Sequence, residues 1–311
     1  MILSFDIGGT KIAGAIFDNS EEKARVIEPM PQTGYSDFLA ALDRIIEKLT
    51  AKYPNIIKFG AGFCGAYDVK RDLITSAGNV PYCVGHNLKK DIEELLEKRN
   101  IDCPVDVDND ANCAALAEAL EGAGKDYNSV LLLILGTGAG SGLVINKQLV
   151  SGSNGLTGEL ARVTFPIYDE EDLELVTRFF KEKRRPYGKP NGDIEQFISG
   201  KGLKQLYEWR TGKTLEAKEI GELYNNKDAE AVKVMDEYFE RVAKAAAVIV
   251  NMIDPEAIIL SGGVSSVTGI CEEVQNRMKK YTIINDPNTR ILQAEFGVMA
   301  GLRGAALLVN E

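Results

Sequence analysis

The chain has 311 residues, five cysteines, one histidine and a formal net charge of −10. The length allows two domains with full cores, and apolar and charged fractions of 45% and 26% are those of a soluble globular protein. The acidic balance argues against nucleic acid as a general partner, and no apolar run approaches the ~20 residues that span a bilayer.

Met1 leads almost directly into a strand, so neither a signal peptide nor an N-terminal arm is expected. Cys64, Cys83, Cys103, Cys113 and Cys271 form no CxxC pair, and with His86 as the one histidine a Cys/His zinc site is not expected. Free thiols fit a reducing, cytoplasmic compartment.

In chain order, residues 3–16 read as strand, turn, strand, with Gly8-Gly9-Thr10 at the turn. Ser36-Asp37 caps a helix that puts Phe38, Leu39, Leu42, Ile45, Ile46 and Leu49 on one face, and Pro54 follows. Residues 56–63 read as a strand ending in Cys64-Gly65, residues 87–98 as an amphipathic helix and residues 103–107 as a short strand. An Ala-rich helix over 110–120 ends at Gly122. Alternating strands and helices are the α/β pattern.

A second hairpin over 132–145, with Gly136-Thr137-Gly138 at its turn, begins a new unit. Residues 163–200 read as irregular and polar, with Pro166, Pro186 and Pro190 as breakers, and the basic cluster 181–185 reads as a solvated loop face. A long Ala-rich helix over 228–253 ends at Asp254-Pro255. Residues 258–260 are a buried strand followed by Ser261-Gly262-Gly263, residues 270–281 a helix, 291–294 a last strand and 297–309 a small-residue helix. The paired hairpins form a weak internal repeat of pattern. They predict a two-lobed fold with a cleft, the change of unit falling near 111–130.

Both glycine turns can set bare backbone N–H groups against phosphate oxygens, which suggests two clamps on one nucleotide and phosphoryl transfer as the chemistry. Neither is a Walker A loop, because GxxxxGK[ST] is absent and the first turn returns into a strand. Asp6, at a strand end beside the first turn, reads either as a metal-holding acid, often through water, or as an ordinary turn acid. In Asp108-Asn109-Asp110 one residue caps the helix, leaving a carboxylate and an amide for a base and a hydrogen-bonding partner. The helix N-terminus favours an ionised Asp110. Residues 155–162 set Glu159 and Arg162 three apart behind glycines, a pattern that by itself fits a surface pair. Glu195 alone is a plain helix glutamate, and Gly262-Gly263 is a third point of backbone approach or a structural turn.

In their order these pieces resemble the ROK family of bacterial sugar kinases and related repressors. The resemblance runs over essentially the whole chain. It is carried by Asp6-Ile7-Gly8-Gly9-Thr10-Lys11, Asn109-Asp110-Ala111-Asn112-Cys113-Ala114-Ala115, Leu135-Gly136-Thr137-Gly138, residues 155–159, Ser199-Gly200 and residues 259–263. It implies an actin-like, ribonuclease-H-like pair of α/β lobes. Residues 1–112 with 296–311 would form the small lobe and 113–295 the large one, with the C-terminal helix returning to the first. It implies transfer of the ATP γ-phosphate to a hexose 6-hydroxyl, with Mg²⁺, often in a homodimer. Asp110 then matches the catalytic base, and Asn109, Glu159 and Glu195 match sugar-binding groups, with Gly65 and Asn79 near the sugar. Gly8, Gly9, Thr10 and Lys11 and Gly136, Thr137 and Gly138 match the phosphate turns. Gly262 and Gly263 match the adenosine side, and Asp6 acts on the Mg²⁺.

The sequence departs from the family pattern Glu-x-Gly-His, which here is Glu159-Leu160-Ala161-Arg162, so Arg162 stands where a sugar- or zinc-binding histidine is usual. The cysteine-rich zinc loop is also replaced, by residues 187–193, and both losses imply a protein without zinc. Arg162 is longer, always charged and donor-only. It is expected to pair with Glu159 or Glu195, reshape the pocket near the sugar C1 and C2, or point away. Glucose is the first expected substrate and N-acetylmannosamine, or another N-acylhexosamine, the second. Two other readings are a sugar-responsive repressor, disfavoured by the acidic charge and the immediate first strand, and a catalytically weak sugar sensor, motivated by Arg162.

Overall fold

The structure is a computed structural model that describes residues 1–181 and 192–308. The chain packs as two compact units. One comprises residues 1–122, 142–157 and 298–311, the other 123–141 and 158–297.

In the first unit, β1 (Ile2–Ile7), β2 (Lys11–Asp18) and β3 (Glu21–Pro29) form an antiparallel meander. β4 (Lys58–Phe63) and β7 (Val105–Asn109) add to it in parallel, giving the order β3-β2-β1-β4-β7. A small hairpin, β5 (Ala66–Asp68) with β6 (Leu73–Ser76), lies in the chain between β4 and β7. Helix α1 (Tyr35–Thr50) lies in the connection from β3 to β4, α2 (Leu88–Glu97) in the connection from β6 to β7, and α3 (Asp110–Leu120) follows β7. α1 buries Phe38, Leu42, Ile45, Ile46 and Leu49 at helical spacing, each contributing about 1.5–3 kcal/mol by burial. They join Leu3, Phe5, Phe59 and Phe63 in one core, where Phe5 and Phe59 stack with ring centroids 5.1 Å apart.

The later sheet comprises β8 (Ser129–Leu135), β9 (Ala139–Ile145), β10 (Gln148–Leu149), β11 (Ala257–Ser261) and β12 (Arg290–Gln293). Its order is β10-β9-β8-β11-β12, with β8, β11 and β12 parallel. Numbered within each sheet, both orders are 3-2-1-4-5. The weak repeat of the two hairpins in sequence is therefore a repeat of topology. Helices α4 (Glu170–Lys181), α5 (Ile194–Ile198), α6 (Gly200–Thr211), α7 (Ala217–Asn225), α8 (Ala229–Ile253) and α9 (Ile270–Met278) belong to the second unit.

The last helix, α10 (Ala300–Leu307), packs in the first unit against α3, β1 and β4. The approach to α3 needs glycine, since a Cβ on Gly304 would lie 1.6 Å from the Cys113 carbonyl oxygen.

Three expectations change. α1 begins at Tyr35 with Gly34 as its cap and no side-chain cap, so Ser36 lies inside the first turn. The stretch 163–200 is not irregular throughout, because it contains α4 and α5. Pro166 precedes α4, which opens with Glu170, Glu171 and Asp172 and turns Val176 and Phe179 inward. Buried Asp172 accepts from Lys244 Nζ of α8 at 2.6 Å and fixes the helix. The final helix is a short 3₁₀ turn, Gly297–Met299, followed by α10. Residues 182–191, which hold most of the basic cluster, Pro186, Pro190 and most of the zinc-loop replacement, lie outside the described residues, as does Val309.

Candidate active site

The strand before α3 runs two residues later than its sequence pattern, over Val105–Asn109, which puts Asp108, Asn109 and Asp110 at the strand-to-helix junction. Asn109 is the cap. Its Oδ1 accepts from the backbone N–H groups of Ala111 at 2.8 Å and Asn112 at 3.3 Å. Its Nδ2 donates to the Gly65 carbonyl at 2.8 Å, joining β4 to the head of α3. Asp110 is the first residue of α3, and its Oδ1 accepts from Ala111 N at 2.8 Å. Gly65, Asn109 and Asp110 thus stand together.

The first glycine turn closes with Gly8 N donating to Lys11 O at 3.0 Å. A Cβ on Gly9 would lie 2.5 Å from the Asn79 Cβ, so this turn and the 77–80 loop meet within the same unit. Thr10 and Lys11 are exposed at the turn. Asp6 sits on β1 beside it. Burial raises its carboxyl above the ordinary value, and the Lys11 charge opposes that rise.

In the second unit, the turn Gly136-Thr137-Gly138 is closed by Gly136 N donating to Gly138 O at 3.0 Å. The Gly136 carbonyl accepts from Gly200 N at 2.7 Å, which docks the N-terminus of α6, and Ser199 caps that helix at Gly202 N. A Cβ on Gly138 would lie 3.1 Å from the Glu195 Oε2, so the expected phosphate turn and an expected sugar acid adjoin. Gly262 has φ +88°, and a Cβ there would lie 2.6 Å from the Leu135 carbonyl. Next to it opens a cavity of about 740 Å³ lined by Gly136, Thr137, Lys201, Lys204, Gly263 and Ser266. That volume is in the range of pockets for nucleotide-sized molecules.

Glu159 is exposed and heads a 3₁₀ turn, Leu160–Arg162. Arg162 turns to Glu195 rather than to Glu159. Its Nη1 is 3.5 Å from Asp193 Oδ2 and its Nη2 3.5 Å from Glu195 Oε2. Asp193 is the residue that sequence reasoning missed. It caps α5 through Gln196 N at 3.3 Å and is 1% exposed. Its signal was present as an aspartate directly ahead of Ile194, the ordinary mark of a helix start. Backbone pairing of Ile194 N with Val163 O at 2.8 Å holds the two segments in register. Lys201 and Lys204 were missed because α6 was not read, although they stand at the three-residue spacing of one helix face.

Two sheets of 3-2-1-4-5 order, each opening on a glycine hairpin, define the two-lobed, actin-like class of α/β folds. The chain belongs to the ROK family, whose pattern it matches over residues 2–311. It is 34% identical to an N-acetyl-D-glucosamine kinase of Salmonella newport over 99% of both chains. It resembles the ROK hexokinase of Thermus thermophilus with a TM-score of 0.81 and 27% identity, over 98% of this chain and 96% of that one. It also resembles the ROK glucokinase of Streptomyces griseus, solved with glucose and AMPPNP, with a TM-score of 0.77 and 25% identity over 99% and 98% of the chains.

Proposed function

We propose that the protein is an ATP-dependent kinase that phosphorylates the 6-hydroxyl of an N-acetylhexosamine or hexose, with N-acetyl-D-glucosamine as its first substrate. Identity of 34% over the whole chain to an enzyme of that name supports the substrate, and glucose follows on the likeness to the Streptomyces griseus glucokinase. N-acetylmannosamine remains the alternative that the altered histidine motif suggests.

One observation carries the catalytic reading. Asn109 already serves as the cap of α3, so Asp110 is not required for that role, and it stands at the positive end of the helix. Asp110 is assigned as the base that takes the proton of the sugar hydroxyl. A carboxylate is a weak base for an alcohol, but in a largely dissociative transfer the proton leaves late. Asn109, Gly65, Asn79, Glu159, Glu195 and Arg162 are assigned to sugar recognition.

The residues present fit a nucleotide. The glycines of both turns carry no Cβ that would hold a phosphate off the backbone, and the cavity beside Gly263 has room for a nucleoside, with Lys201 and Lys204 at its wall. ATP bound with Mg²⁺ supplies the γ-phosphoryl group. Gly8, Gly9, Thr10, Lys11 and Gly136 to Gly138 hold its phosphates, Gly262 and Gly263 flank the nucleoside, and Asp6 orients the hydrated metal. The protein works without zinc, since Arg162 takes the place of the usual histidine. No described helix is long and apolar enough to cross a membrane, and we place the enzyme in the cytoplasm.

The test is ADP release with MgATP against N-acetylglucosamine, glucose, N-acetylmannosamine, mannose and fructose. Turnover is expected to be highest on N-acetylglucosamine. Sugar binding without turnover on any of the five would instead identify a sensor.

A further inference from the structure

We propose that Asp108 is a positioning residue for catalysis: its carboxylate holds the head of α3, and with it Asp110, in the working geometry. The proposal rests on the assignment of Asp110 as base. Asp108 is 6% exposed on β7, two residues before Asp110. Its Oδ1 accepts from Asn109 N at 2.7 Å and from Asn112 Nδ2 at 2.7 Å, and its Oδ2 from Ser151 Oγ at 3.4 Å. Asn112 is thereby held twice, its backbone N–H by Asn109 and its side chain by Asp108. Asp110 lies on the arc between those two anchors.

The cap of α3 does not need this acid, because Asn109 supplies it. Burying a carboxylate is costly unless specific donors hold it. Burial pushes the Asp108 carboxyl above its ordinary value and the neighbouring Asp106 adds to the rise, while the Asn112 amide, the Asn109 N–H and the Ser151 hydroxyl oppose it by favouring the charged form. An acid kept in such a place, directly behind the catalytic turn, fits a device for fixing geometry. Ser151 extends the clasp to the segment after β10, and Asp108 and Ser151 both line a cavity of about 410 Å³ in the first unit.

The test combines kinetics with a readout that needs no turnover. Asp108→Ala is expected to lower kcat about 100-fold, the cost of a small misplacement of a reacting group, with KM for sugar and ATP within about threefold of the parent. Asp108→Asn keeps an acceptor oxygen for Asn109 N and Asn112 Nδ2 and is expected to restore kcat to within about fivefold. Asn112→Ala, which removes one of the three bonds that Asp108 accepts, is expected to give part of the Asp108→Ala loss, and the double variant to be no worse than Asp108→Ala, since the Asn112 bond is already lost there. Amide hydrogen exchange is expected to accelerate at Ala111 and Asn112 in Asp108→Ala and not in Asp108→Asn.

Additive losses, a loss confined to KM, or an Asn variant as poor as Ala would overturn the proposal. If Asp108→Ala fails to fold, Asn112→Ala and Asp108→Asn carry the same test. An inactive parent protein would count against the kinase reading alone, while the exchange pattern would still decide whether Asp108 holds the turn.

Discussion

Removing the Arg162 guanidinium tests the least familiar part of the site. Arg162 bridges Asp193 and Glu195 at 3.5 Å each, with side-chain exposures of 39%, 1% and 20% for the three residues. At an effective dielectric of about 20, each pair is worth roughly 5 kcal/mol before screening and desolvation. Breaking a fully buried pair costs about 3–5 kcal/mol, whereas exposed pairs measure about 0.2–1. The half-open arginine and the long contacts put Arg162→Ala nearer the exposed limit, at about 1–2 kcal/mol. Asp193 keeps its bond to Gln196 N, which limits the damage. The expected fall in Tm is therefore about 2–8 °C.

The larger effect is expected in sugar recognition, because Glu195 loses the cation that orients it. In steady-state kinetics, KM for the sugar should rise about tenfold, equivalent to about 1.4 kcal/mol, with KM for ATP unchanged. Arg162→Lys should recover part of this, limited by the loss of the planar fork. Arg162→His should change the order of preference among N-acetylglucosamine, glucose and N-acetylmannosamine. An unchanged sugar KM in Arg162→Ala, together with an unchanged preference in Arg162→His, would refute the reasoning, whatever happened to Tm.

Asp110→Asn should lose turnover by orders of magnitude while binding sugar in calorimetry as the parent does, and near-normal turnover would remove Asp110 as the base. Gly301 of α10 backs Asp6, and a Cβ there would lie 3.1 Å from the Asp6 Cγ. Gly301→Ala should therefore displace the carboxylate by a few tenths of an ångström, lower kcat about 3–10-fold and raise the Mg²⁺ needed for half-maximal rate. An unaltered Mg²⁺ titration would contradict this.

Burial raises the Asp6 carboxyl, so the folded chain holds that proton to higher pH than the unfolded chain does. The sign follows: Asp6 costs no stability below its unfolded pKa of about 3.9, and stability falls as pH rises through the folded value. Asp6→Asn should thus raise Tm at pH 7.5, lose that gain near pH 3.5, and abolish turnover. A lower Tm at pH 7.5 would show that the charged carboxylate is favourably held.

The two glycine hairpins were legible because strand periodicity stops sharply at Gly8-Gly9-Thr10 and at Gly136-Thr137-Gly138, and both are turns between paired strands in the structure. The long helix α8 was equally legible, its Asp228 cap and its end at Asp254 both visible in the residues. α4, α6 and α7 were not. Two of them open on residues that also favour loops, acids in α4 and glycines in α6, which masked the apolar positions behind them. The α1 cap was misplaced because Gly34 ends the preceding turn by backbone geometry alone, at φ 146°, and Ser36 offered a more conventional cap two residues later. Asp108 was read only as one of three acidic or amide residues at a junction. Nothing local to the sequence says that its partners are Asn112 and Ser151, 43 residues away. Glu195 was one of the partners expected for Arg162, but the choice of Glu195 over Glu159 and the second partner Asp193 needed the fold, since they join segments about 30 residues apart.

The central claim is phosphoryl transfer from ATP to a sugar 6-hydroxyl. It is tested most directly by incubating the protein with MgATP and N-acetyl-D-glucosamine and assigning the product by ³¹P and ¹H NMR, with the 6-deoxy sugar as a control. The expected result is stoichiometric ADP and a 6-phosphate ester, with no product from the 6-deoxy sugar. Phosphorylation at another hydroxyl, or ATP hydrolysis that the 6-deoxy sugar supports equally well, would contradict it.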